Sequence, residues 1–215
     1  MAKTRVLIVD DHPLMRRGLR ETLSADLDLD VCAEAADTEE AIAQTRESKP
    51  QVAIIDLSLP SGSGLELAKR LMTIREDLRI LIVSMHDESI FAERALRAGA
   101  LGYVSKLRPG SELLEAVRKV ARGETALSQP VVDRLVRRGI DAGQGPVTGV
   151  ESLSDRELEV FELLGKGLGT RAIAERLCLS VKTIETHREH IKKKLNLGSS
   201  AELSRHATLW ANHQP

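Results

Sequence analysis

Hydrophobic positions in the first 123 residues come as short continuous runs, each followed by a stretch with apolar residues three and four apart. The runs are 5–9 (RVLIV), 31–36, 52–55 (VAII), 80–83 (ILIV) and 101–104 (LGYV). Continuous runs of this length predict strands buried on both faces. The intervening stretches predict helices. Pro13 stands where a helix can begin, since its missing N–H costs nothing in a first turn, and Leu14, Leu19 and Leu23 follow at helical spacing. Asp37 with Glu40 three positions on forms a capping pair for a helix to about residue 46. Another helix covers 65–71, one carries Phe91, Ala95, Leu96 and Ala98, and a fifth carries Leu113, Leu114, Val117 and Val120. Five strands that alternate with five helices predict an α/β domain, a doubly wound five-stranded parallel sheet.

The pattern then changes. Residues 124–150 hold Pro130, Pro146 and four glycines, and predict a linker with a short helix over 131–140. From residue 152 onward the periodicity is wholly helical. Ser154 with Glu157 is a capping box for a helix with Leu158, Phe161 and Leu164 inward. A short helix over 171–177, a tight turn at 178–180, a helix over 181–195 and a fourth over 201–210 follow. The expected domains are 1–123, α/β, and 151–215, an all-α four-helix unit, joined by the linker 124–150.

At 215 residues the chain has room for one or two domains. No apolar run approaches the roughly 18–20 residues needed to span a bilayer, and the N-terminus has no secretory pattern, so a cytoplasmic protein without membrane contact is expected. Cys32 and Cys178 lie far apart in apolar stretches and are expected to be core thiols. The four aromatic residues are too few for a binder that stacks single-stranded bases. The net charge of −1 gives no global basic signal, but residues 176–194 carry six Lys or Arg against two acids, so nucleic acid can still be bound locally.

Candidate chemistry collects where the predicted strands end. Asp10 and Asp11 follow the first strand, Asp56 the third, Ser84 the fourth and Lys106 the fifth. In a parallel sheet these ends share one edge, where ligands bind at the switch point. Three converging carboxylates repel unless a cation intervenes, and a hard divalent ion such as Mg²⁺ suits them. Lys106 and the Ser84 hydroxyl then serve an anion beside the metal. Such a site suits an aspartate that receives a phosphoryl group. Gly62-Ser63-Gly64 imitates a dinucleotide fingerprint, but Leu67 takes the third glycine position, and a turn after Pro60 explains the glycines better. His187 and His190 lack a third ligand for a metal.

In the last helical region, Val181, Ile184, Ile191 and Leu195 are expected to form the buried stripe of the third helix. Lys182, Glu185, Thr186, Glu189 and Lys193 fall on the opposite face. A short helix, a turn and a second such helix make a helix-turn-helix that reads the major groove of double-stranded DNA. Lys182, Glu185, Thr186 and Glu189 lie nearest base edges, and Lys192, Lys193 and Lys194 meet phosphates.

Residues 1–123 resemble a response-regulator receiver domain, through Asp10-Asp11 in VLIVDDHPLMRRGL, Asp56 in AIIDLSLPSGSGLEL, Ser84 in ILIVSMHDES, and Tyr103 with Lys106 in AGALGYVSK. Residues 152–203 resemble LuxR-type DNA-binding domains, and the whole chain resembles the NarL/FixJ family. The resemblance implies a phospho-acceptor at Asp56, served by a histidine kinase. It implies Mg²⁺ held by Asp11, Asp56 and the backbone carbonyl of Ser58, with Asp10 in support. It gives Lys106 to the phosphoryl oxygens, a moving hydroxyl to Ser84, a switch rotamer to Tyr103, and phosphate lifetime to Ser58 and His86. In the output domain, Thr183 joins the candidate DNA residues, and a homodimer forms on activation. Leu107 stands where many receivers carry proline. Gly169-Thr170-Arg171 replaces a common Ser-Asn-Lys, and Glu185 and Glu189 are acidic where some members carry lysine. Two alternatives share the site residues: an Mg²⁺-dependent aspartyl phosphatase, and a regulator whose receiver only dimerises.

Overall fold

The computed structural model describes residues 3–60, 62–140 and 149–212. They divide into two compact units, Met1–Ala142 and Gly143–Pro215.

In the first unit β1 (Thr4–Val9), β2 (Leu29–Ala35), β3 (Val52–Ile55), β6 (Arg79–Ser84) and β7 (Gly102–Ser105) form one sheet in the order β2-β1-β3-β6-β7. Every pairing in it is parallel. The strands alternate with α1 (Pro13–Ser24), α2 (Thr38–Ser48), α3 (Gly64–Ile74), α4 (Glu88–Arg97) and α5 (Gly110–Ala121). A two-residue hairpin, β4 (Ser58–Leu59) with β5 (Gly62–Ser63), follows β3. One face of the sheet packs Val6, Ile8, Ile54, Leu81 and Val83 against Leu19, Leu23, Val117 and Val120. The alternate residues Leu7, Val9, Ile55 and Ile82 are equally buried. Since neighbouring side chains on a strand point to opposite faces, burial on both sides is what turns alternation into continuous apolar runs.

The helix starts have the expected chemistry. Pro13 opens α1. Asp37 accepts from the amides of Glu39 and Glu40 at 2.9 Å, and Glu40 accepts from Ala36. Leu14, expected on the stripe with Leu19 and Leu23, is 86% exposed, since it lies five positions before Leu19; Met15, four positions before, packs on the core instead. Among the described residues no peptide bond is cis.

The stretch expected as a linker divides. Ala126 pairs in parallel with Gly102 at the β7 edge, and α6 (Gln129–Ile140) packs on α4. Residues 124–140 therefore belong by contact to the first unit. The glycine-rich remainder, 141–148, lies outside the described residues.

The second unit is all-helical: a 3-10 turn (Gly149–Ser152), α7 (Asp155–Gly165), α8 (Thr170–Arg176), α9 (Val181–Lys194) and α10 (Ser200–Asn212). Ser154 and Glu157 form the capping box of α7. Phe161 packs against His206 and Trp210 of α10. Gly165 permits the approach, since a Cβ there would lie 2.6 Å from the Ala207 carbonyl oxygen. The cysteines are not core thiols. Cys32 is half-buried, and Cys178 is exposed at the turn before α9, with φ +51°. Among the described residues no helix is long and apolar enough to cross a membrane.

Gly102 has no room for a side chain, because a Cβ would lie 2.6 Å from the Ala126 carbonyl oxygen. Gly102→Ala is expected to cost about 1–3 kcal/mol of stability. Urea denaturation of the full chain measures it, and the loss should come with faster amide exchange at Ala126.

Candidate functional site

Parallel register sets the site. Val9 stands opposite Ile55, so Asp10 and Asp56 leave adjacent strands side by side. Ser84 stands opposite Ser105, which brings Lys106 to the same edge. The Lys106 ammonium lies 2.6 Å from Asp10 Oδ2 and 2.7 Å from Asp56 Oδ2. Both acids are buried, at 1% and 5% exposure. Burial pushes the Asp56 carboxyl above its ordinary value, against the pull of Lys106 and with the push of Asp10. Burial works to lower Lys106, but the Asp56 charge and hydrogen bonds to both acids hold it above its ordinary value. The lysine is therefore an ammonium clamped between two carboxylates.

Asp10, Asp11, His12 and Asp56 each place one donor atom within 4.8 Å of the others. Asp10 Oδ2 touches Lys106, and Asp11 Oδ1 lies 2.6 Å from His12 Nδ1. Asp11 Oδ1, although buried, has no well-aligned hydrogen bond, while Asp10 Oδ2 has the ammonium alone. Buried carboxylate oxygens in that state suit a cation. Sequence reasoning passed over His12, whose only signal was its place directly after the acid pair. It also passed over Arg16, which donates to the Asp10 carbonyl at 2.5 Å. Gly64 was credited to a turn, but its larger role is close approach. A Cβ there would lie 2.0 Å from the Asp56 carbonyl oxygen.

The remaining receiver candidates form a connected set. Ser84 is fully buried, and its Oγ accepts from the His86 amide at 3.2 Å. The His86 carbonyl accepts from the Tyr103 hydroxyl at 2.8 Å, with the Tyr103 ring buried. His86 Nε2 lies 2.9 Å from Ser58 Oγ. The two residues singled out for phosphate lifetime thus touch each other across the pocket rim.

In the second unit, α8, the turn and α9 make the helix-turn-helix. Ser180 caps α9 and holds Thr183, whose hydroxyl is 2.8 Å away. The buried stripe of α9 differs from the expected one. Ile184 and Ile191 are buried, but Val181 is 40% exposed and Leu195 is half-buried. Val181 lies in the first turn, where residues 181–182 are exposed, and half-buried His187 takes the middle of the stripe. Burial, with the charge of Arg156, holds His187 below its ordinary value.

Ion pairing sorts the charged face. Lys192 pairs with Glu189 at 2.8 Å. Lys194, expected to meet phosphate, pairs at 2.6 Å with Glu157 of α7. Arg188 donates to Thr170 at the start of α8. Thr186 donates to the Lys182 carbonyl, which leaves its methyl outward. Among the described residues the side chains of Lys182, Glu185 and Lys193 have no such partner, so they are free on the open face.

Glu157 ties α9 to α7. It is 4% exposed, accepts from the Ser154 amide at 2.7 Å and from Lys194, and faces His190 at 3.7 Å. Burial works to raise its carboxyl, but Lys194 and the Ser154 bonds hold it below its ordinary value. A depressed carboxyl stabilises above its unfolded pKa, and that stability is lost as pH falls through the folded pKa. Glu157→Ala is expected to cost about 1.5–3 kcal/mol, the worth of hydrogen bonds to a charged group. In thermal melts from about pH 7 to about pH 3, Glu157→Gln should lose less stability than wild type at the acid end.

The response regulator receiver domain family matches residues 6–118, and the family of bacterial regulatory proteins, luxR family, matches residues 151–207. The oxygen regulatory protein NreC of Staphylococcus epidermidis is 39% identical over 209 residues, which cover 94% of this chain and 96% of that protein. The transcriptional activator protein ExaE of Pseudomonas putida is 40% identical over 198 residues, 92% of each. Among solved structures, RcsB of Salmonella enterica serovar Typhimurium, bound to promoter rprA in the presence of phosphomimetic BeF3⁻, is similar. It has a TM-score of 0.64 and 26% identity, over 96% of this chain and 98% of that one. A LuxR-family two-component response regulator from Aurantimonas sp. SI85-9A1 is 35% identical at a TM-score of 0.60, over 65% of this chain and 99% of its own. The chain belongs to the NarL/FixJ-type response regulators, which join a receiver domain to a LuxR-type helix-turn-helix domain and regulate transcription.

Proposed function

We propose that Asp56 accepts a phosphoryl group from a partner histidine kinase and that the modified protein binds double-stranded DNA as a homodimer in the cytoplasm. The observation that carries this is the Lys106 ammonium clamped between buried Asp10 and Asp56 at the sheet edge. A carboxylate oxygen of Asp56 forms the new O–P bond as the donor's N–P bond breaks, and the donor imidazole keeps the electron pair and takes a proton. Lys106 is already in place for the charge on the phosphoryl oxygens. The buried Ser84 hydroxyl accepts from His86 and still has its own O–H to donate.

Three carboxylates and one ammonium leave two negative charges in the pocket. That balance fits Mg²⁺, held by Asp11, Asp56 and the Ser58 backbone carbonyl, with Asp10 in support. When bound, Mg²⁺ neutralises charge on the transferred phosphoryl group. His12 lies beside Asp11 and orients that carboxylate. Intact mass after treatment with acetyl phosphate and Mg²⁺ tests the acceptor. A single phosphoryl adduct is expected on wild type and none on Asp56→Asn. An undiminished adduct on the variant excludes Asp56.

On DNA, α9 is the recognition helix. Glu189 is held by Lys192 and Thr183 by the cap, so base choice rests first on Lys182, Glu185 and the outward methyl of Thr186. Lysine donates to guanine, glutamate accepts from cytosine N4, and a methyl meets the thymine methyl. Lys193 lies further along and meets phosphate. Glu185→Ala is expected to relax one base pair per half-site by about 1–3 kcal/mol. Lys193→Ala should weaken all sequences alike and lower the salt slope by about one unit. Titrations over point-substituted sites at several salt concentrations separate the two. If both variants shift every site equally, Glu185 does not read bases.

A further inference from the structure

The loop between β6 and α4 is tied on two sides. On the inner side, the His86 amide is bonded to Ser84 and the His86 carbonyl to Tyr103. On the outer side the next residues meet the segment that follows α5. Ser128 Oγ donates to Glu88 Oε1 at 2.6 Å, and Arg134 of α6 donates to the Ser89 carbonyl. Arg108 stands 3.7 Å from the same Glu88. Val131 of α6 is buried. Tyr103 joins both sides directly, since its hydroxyl holds His86 while its amide donates to the Ala126 carbonyl at 2.9 Å. The Ala126 amide returns a bond to the Leu101 carbonyl at 2.9 Å. Residues 126–134 thus form a strap over the β7 edge and α4. It is bonded to the arrangement in which Tyr103 is buried and the Ser84–His86 bond is made.

We infer that Ser128 and Arg134 are positioning residues for the phosphoryl site, acting through Glu88, Ser89 and the 84–89 loop. Any inward movement of the Ser84 hydroxyl carries the His86 amide with it. The loop behind that amide is fixed by Tyr103 and by the strap. On this inference the docked strap favours the loop position from which the Ser84 hydroxyl donates to a phosphoryl oxygen, and a bound phosphoryl group favours the docked strap in return. The two effects are one coupling free energy seen from either end, so they must be equal. The inference rests on Asp56 as the acceptor.

The experiment uses the full chain with Mg²⁺ and beryllofluoride, the phosphomimetic present in the RcsB–DNA structure. Two quantities are measured: beryllofluoride affinity, and hydrogen exchange of the strap amides with and without the mimic. In wild type the mimic should slow exchange across residues 126–137. Ser128→Ala and Arg134→Ala should each weaken mimic binding about two- to tenfold, the worth of one hydrogen bond. Ser128→Thr, which keeps the hydroxyl, should restore it. A purely structural role lowers thermal stability and leaves mimic affinity unchanged, and that result overturns the inference. Strap exchange that ignores the mimic overturns it equally, because linkage requires both halves. If wild type takes neither the mimic nor an acetyl-phosphate adduct, the acceptor assignment itself falls and the strap coupling falls with it.

Discussion

One ammonium group between two buried carboxylates holds the receiver site together. An unpaired charge under the surface costs several kcal/mol, and two adjacent carboxylates also repel. Lys106 meets both costs at once, with contacts of 2.6 and 2.7 Å. Its position depends on the whole sheet. Asp10 and Asp56 come from β1 and β3, the pair at which strand order reverses, and Lys106 arrives from the far edge strand past Ser84. The Lys106 amide also donates to the Ser84 carbonyl at 2.8 Å, so the lysine backbone is set by the strand it must cross. A sheet with one strand misregistered would point these side chains to the wrong face.

The second unit uses buried acids in a similar way, for positioning and not for chemistry. Glu157 and Glu159 of α7 are both buried, one with Lys194 and the other with Arg156. Arg156 also donates to the Leu177 carbonyl, at the C-terminal end of α8. One turn of α7 therefore fixes the end of α8 through Arg156 and the last turn of α9 through Glu157. The angle between the two helices of the motif is set from beneath. Basic residues on α9 consequently divide into those that hold the helix and those that remain for DNA.

Much of this was legible in the sequence because the signals are local. Continuous apolar runs, the caps at Asp37 and Ser154, and polar residues directly after strands need no knowledge of distant contacts. Asp10, Asp56 and Lys106 meet as the strand ends implied, with Ser84 ending the strand beside Lys106. The failures share one cause, which is that partners distant in sequence decide the role of a side chain. The pairing of Lys194 with Glu157, 37 residues away, has no local signal. Val181 fits the stripe periodicity, but it lies in an exposed first turn. Residues 124–140 carry linker composition, yet Gly102 leaves a space into which Ala126 fits, and no local pattern reports that vacancy.

A phosphoryl group moves an equilibrium only by its different affinity for the two states. Going from about 1:99 to about 99:1 needs about 5.5 kcal/mol. A single hydrogen bond from Ser84, worth about 1 kcal/mol net, is far too little. Contacts that change together are needed, and the bonds through His86, Tyr103, Ala126, Ser128 and Arg134 form the connected series such a change requires, since each fixes the residue that the next one uses. The proposed pairing of two receivers would add a further factor. If DNA is bound by a dimer, each subunit contributes its own shift, and a bias of about 3 kcal/mol per receiver then suffices for the pair. Under that pairing a modest change at a small site would become a large change in DNA occupancy through repetition, without any one contact having to be strong.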